Sequence, residues 1–136
     1  MPTLTRWFIK ASMGYLVLAL CTGVFLAFPT GNPVSGLFPV YLHLLTFGWL
    51  TQLIFGVALW MFPKYSSAKP RGHEWLGWAT FILLNTGLLM RAIFEPLNGN
   101  NTWLPLSGWM LVVAALLQWL AGLAFVANTW TRIREK

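Results

Sequence analysis

A chain of 136 residues that is 57 % hydrophobic and 9 % charged, with a mean hydropathy of +0.65, lies far from the roughly 25 % charged residues of a soluble domain. This is the composition of an integral membrane protein. It has room for about four spanning helices, each needing about 20 residues to cross roughly 30 Å of hydrocarbon, and none for a soluble catalytic domain. The net charge of +6 sits in short segments beside the apolar runs and is not interleaved with aromatics, so it reads as topology rather than as a nucleic-acid surface.

Apolar stretches bounded by breakers predict four helices and one domain over residues 1–136, an all-α membrane four-helix bundle. The first runs from Ala11 to Phe28 and stops at Pro29-Thr30-Gly31-Asn32-Pro33. Arg6 and Lys10 precede it like the basic region of a signal peptide, but no small-residue cleavage site follows, so it is expected to be retained. Cys21, the only cysteine, is expected to serve packing and has no partner for an internal disulfide. The second helix runs from Leu37 to Phe62 and stops at Pro63, the third from Trp75 to Phe94 before Glu95-Pro96, and the fourth from Leu104 to Trp130. The second and fourth are longer than the hydrocarbon is thick, so they should tilt or project.

Of the nine Lys and Arg residues, all but Arg91 fall on one side of this arrangement. Arg6 and Lys10 precede the first helix, Lys64, Lys69 and Arg71 join the second to the third, and Arg132, Arg134 and Lys136 follow the fourth. The positive-inside rule makes that side cytoplasmic, with both termini inside; the expected location is the cell's inner (cytoplasmic) membrane. Trp7, Trp60, Trp75, Trp78 and Trp130 near that boundary, and Trp103 and Trp109 near the other, form an aromatic belt.

Stepped at about 100° per residue, the second helix has two faces. His43 shares one with Phe47, Leu50, Ile54, Val57 and Met61, flanked by Thr46 and Thr51. Tyr41, Leu45, Gly48, Gln52 and Gly56 share the other, where small residues let backbones approach and an amide bonds across the contact. An unpaired imidazole in lipid is costly, and ionisable residues inside a membrane helix mark sites. Two roles fit His43: a neutral imidazole bonded to a helix carbonyl, threonine or amide, or the axial ligand of a haem iron. The second histidine, His73, falls in the inner loop, so the two cannot share a metal.

Arg91 lies about 6 to 8 Å below the outer end of the third helix, and His43 about 9 Å below the outer end of the second, at about 1.5 Å per residue. A haem ligated at His43 could direct its propionates to Arg91, whose guanidinium suits carboxylates. Alternatively Arg91 snorkels or pairs with Glu95, four residues on. Asn85 and Gln118 are expected to be interhelical glue, or contacts to a cofactor or quinone. Ser/His/Asp sets, carboxylate pairs, phosphate loops and H-E-x-x-H are absent from the sequence, leaving no machinery for hydrolysis or phosphoryl transfer.

The string YLHLLTFGWLTQLIFGVALWMFPK, Tyr41 to Lys64, resembles the second transmembrane helix of haem-copper oxidase subunit I, especially in the nitric-oxide-reductase and C-type branch. PRGHEWLGW and LLNTGLLMRAIFEP resemble the third helix of small subunit I homologues. The resemblance covers the later part of the first loop to Pro96 and implies that His43 is an axial ligand of a low-spin haem; Thr46 and Phe47 on the His43 side of the second helix, and Arg91 at a similar depth, are expected to line that site. It implies a single four-helix arc of the larger subunit. The further histidines for the second low-spin ligand, the high-spin haem and copper are missing, so stand-alone oxidase activity is not expected.

One His ligand per chain can still complete a haem site by oligomerisation. Two His43 residues can meet across a two-fold axis, or three arcs can form a trimer that imitates the large subunit. The expectation is therefore a haem b-binding homo-oligomer in membrane lipid, for electron transfer or diatomic-gas sensing, with a respiratory-chain partner. The alternatives are a haem-free structural or assembly subunit of a respiratory complex and a quinone-binding anchor.

Overall fold

The computed structural model describes residues 1–28, 34–65, 73–99, 105–130 and 132–133. Four helices carry the chain: α1, Thr3–Ala27; α2, Leu37–Met61; α3, Glu74–Gly99; and α4, Pro105–Trp130. Each contains a span long and apolar enough to cross a membrane. Among the described residues there is no strand.

The helices run up and down. Gly77 of α3 meets Leu4 of α1 and Asn128 of α4 at one end, while Ser107 of α4 bonds Asn98 of α3 at the other. The most extensive interface joins α3 to α4, and α2 packs along α1. Gly48 and Gly56 make the second contact possible. A Cβ on Gly48 would fall 2.8 Å from Cβ of Tyr15, and one on Gly56 2.8 Å from Cβ of Phe8, the close approach small residues allow in lipid.

The exterior is apolar, unlike that of a water-soluble bundle, and polar residues are found within. Val17, Val24, Ile54, Ile82, Leu116 and Leu123 are exposed, whereas Ser12, Gln52 and Thr80 are completely buried. The outer faces suit hydrocarbon, and several buried polar groups find partners inside. Ser12 and Thr80 return their hydroxyls to the carbonyls of Ile9 and Leu76. Gln52 donates from Nε2 to Oδ1 of Asn85 at 3.0 Å, and Asn85 donates in turn to the carbonyl of Phe81. Aromatics fill the end nearer the termini: Phe8 meets Phe81 edge to face at 5.0 Å, and Phe55 stacks on Phe125 at 3.9 Å.

Several expectations need correction. Helix α1 begins at Thr3, not Ala11, because Leu4, Thr5 and Phe8 are buried on its inner face, a periodicity that the charges of Arg6 and Lys10 conceal from a hydropathy scan. Helix α3 continues past Glu95 and Pro96 to Gly99, since a proline so near the end removes few backbone bonds. Helix α4 is described from Pro105, where a missing N–H costs nothing in a first turn; the expected start at Leu104 lies outside the described residues. Cys21 is exposed on α1 beside Val24, Phe25 and Phe28 and does not pack inward. Trp78 packs against the core with its ring 6.1 Å from Phe81, unlike Trp7, Trp60, Trp75, Trp109 and Trp130, which are exposed. Trp103, Lys69, Arg71, Arg134 and Lys136 lie outside the described residues.

Candidate functional site

The site is assembled where the start of α2 meets the end of α3. Gly36 precedes α2 with φ +84°, a left-handed conformation that favours glycine, and a Cβ there would lie 2.5 Å from the carbonyl oxygen of Glu95. The backbone of Glu95 therefore lies against the first turn of α2. One turn further on, His43 faces the Glu95 side chain.

His43 is held by its own helix. Its Nδ1 lies 2.7 Å from the carbonyl oxygen of Pro39. A carbonyl only accepts, so Nδ1 carries a hydrogen, and in the neutral ring Nε2 is then the atom with the lone pair. Among the described residues Nε2 makes no hydrogen bond. The Nδ1 atom also lies 3.6 Å from Oε2 of Glu95, and the ring stacks on Phe47 with centroids 5.9 Å apart and planes 17° off parallel.

Immediately after His43 the helix changes character. Residues Leu44–Thr51 form a π-helix, a widened stretch that occurs mostly as short insertions near functional sites. Thr46, in its first turn, is exposed and donates from its hydroxyl to the carbonyl of Leu42 at 2.7 Å. Phe47, Leu50, Ile54 and Met61 are also exposed, while Gly48, Gln52 and Gly56 are buried on the opposite face. Beyond His43, which is 24 % exposed against Glu95 of α3, this side of α2 is largely left uncovered by the other helices.

Arg91 stands on the far side of Glu95. It donates from one terminal amino group to Oε1 at 3.2 Å, with both side chains mostly buried. Oε2 of Glu95 and Nε of Arg91 are buried without a hydrogen-bond partner. Glu95 consequently links the two residues singled out in the sequence, and Arg91 pairs with it in the i, i+4 manner. The structure brings His43, Phe47 and Arg91 together and leaves Thr46 on the adjoining outer surface. Glu95 was legible only as a partner of Arg91; its closeness to His43 depends on the α2–α3 contact.

The remaining polar residues are placed elsewhere. Asn85 joins Gln52 deep in the bundle, and Gln118 is nearly buried with its amide nitrogen unpartnered. Among the described residues no group of three or more His, Cys, Asp or Glu side chains is placed to hold a metal ion. A metal held by His43 would therefore need ligands beyond the described side chains, such as those of a cofactor or another chain. No protein-family model, curated protein or solved structure matches the chain.

Proposed function

We propose that the chain is a haem b-binding membrane protein, related to subunit I of haem-copper oxidases, in which His43 supplies an axial ligand through Nε2 for electron transfer or diatomic-gas sensing. The observation that supports this most is the hydrogen bond from Nδ1 to Pro39. Metal-bound imidazoles characteristically donate their other ring N–H to a carbonyl or carboxylate, which sets the tautomer and the ring orientation. The donor set fits a haem that brings its own four nitrogens. His43 borders an uncovered apolar face that includes Phe47, stacked beside it, and Arg91 retains an unpartnered Nε–H suited to a propionate.

When bound, haem supplies a one-electron couple or an iron position open to a small gas. Pro39 orients the ligand, Phe47 shields it, and Arg91 with Glu95 sets the local charge. One ligand per chain makes the uncovered face of α2 an interface between copies, as a dimer or trimer. Arg6, Lys64 and Arg132 share an end with the N-terminus, and we assign that end to the cytoplasm and the protein to the inner membrane.

Absorption spectroscopy of the protein purified in mild detergent, with iron and haem counted per chain, tests this. A Soret band with sharp reduced α and β bands is expected, and His43→Ala should abolish it while circular dichroism reports intact helices. A colourless, folded wild-type protein would overturn the assignment. It would support a haem-free structural subunit instead, which the mutual closure of Arg91 and Glu95 favours.

A further inference from the structure

At the opposite end of the bundle, where α2 stops, Arg132 is 5 % exposed. It donates from Nε to the carbonyl of Pro63 at 3.0 Å and from Nη2 to that of Phe62 at 2.8 Å, with longer bonds to Leu59. These include terminal carbonyls that no helical N–H reaches. The guanidinium thus fixes a positive charge at the end of a membrane span.

Beside it opens a cavity of about 380 Å³ whose walls include Trp60, Phe62, Lys64 and Arg132 and, among the described residues, no Asp or Glu. Lys64 is exposed and makes no ion pair among the described residues. Trp60 is 55 % exposed, as an aromatic anchor at headgroup level would be. A smaller recess of about 20 Å³ shares Leu59 and Arg132 with this cavity and reaches Thr5, Asn128 and Glu74. Oγ1 of Thr5 and Oδ1 of Asn128 are buried there without partners, in space enough for one water.

We propose that this cavity binds the headgroup of an anionic phospholipid. A phosphodiester fits the Lys64 ammonium in the field of Arg132, and the apolar faces of Trp60 and Phe62 suit the start of an acyl chain. Basic recesses between membrane helices take up such headgroups, and each cation near the surface favours anionic lipid. The apolar wall distinguishes the occupant from free phosphate. The proposal is independent of haem binding.

Native mass spectrometry of the full chain, exchanged into mixed phosphatidylglycerol and phosphatidylcholine nanodiscs, is the test. Wild-type protein should retain phosphatidylglycerol over phosphatidylcholine by about fivefold or more. Lys64→Glu should lose that preference and Lys64→Arg keep it, while Arg6→Glu, at the same end but off the cavity wall, should leave it intact. Equal retention of both lipids, or equal losses in the Lys64→Glu and Arg6→Glu variants, would overturn a defined site. Displacement of the retained lipid by millimolar inorganic phosphate would overturn the lipid assignment.

Discussion

The carbonyl of Glu95 occupies the space in which Gly36 would carry a Cβ, at 2.5 Å. This contact seats the start of α2 on the end of α3 and thereby brings the Glu95 carboxylate within 3.6 Å of the His43 ring. A backbone requirement in a short connection therefore governs the electrostatic surroundings of a side chain two turns away.

Gly36→Ala is expected to destabilise the protein. The left-handed φ alone costs about 1–2 kcal/mol for an L-residue, and overpacking against Glu95 adds about 1–3 kcal/mol. Thermal unfolding in detergent measures the loss, while Gly14→Ala, where no atom lies within 4 Å of the added Cβ, should be tolerated.

Replacing His43 by Gly should remove the haem spectrum, and imidazole added at millimolar concentration should restore it by taking the vacated position. Such rescue separates a ligand from a packing residue, because a hydrogen-bonded imidazole with no iron to bind has no spectrum to restore.

The Arg91–Glu95 pair is mostly buried, so removing one member leaves the other without its counter-charge. Arg91→Leu should destabilise by about 1–3 kcal/mol, and Arg91→Leu with Glu95→Leu should recover much of the loss, because replacement of both members of a buried pair is often neutral. An additive double-mutant cycle would show that the pair contributes nothing.

Gln52 and Asn85 join α2 to α3 inside the bundle. Their coupling energy in a Leu double-mutant cycle should be about 0.6 kcal/mol, and below about 1.7 kcal/mol, the range found for interhelical bonds in lipid. Chemical unfolding in mixed micelles reads the cycle, and a larger value would mean that the amides support more than their mutual bond.

Sequence by itself determined the four apolar spans, the packing face of α2 at Gly48, Gln52 and Gly56, and the similar depth of His43 and Arg91. Hydropathy and the helical repeat are local properties, and chain reversals at proline and glycine set the order of ends. Only the tertiary structure decided the rest. The proton on His43 Nδ1 follows from the distance to Pro39, and the π-helical stretch Leu44–Thr51 shows only in the backbone itself. The inward turn of Trp78, the exposure of Cys21 and the start of α1 at Thr3 depend on which helix lies opposite each residue. Arg132 shows the difference most plainly: a basic residue after the last span reads as topology, yet its guanidinium reaches back to Leu59, Phe62 and Pro63. Contacts so distant in sequence leave no periodicity to read, because they arise from how the helices pack together.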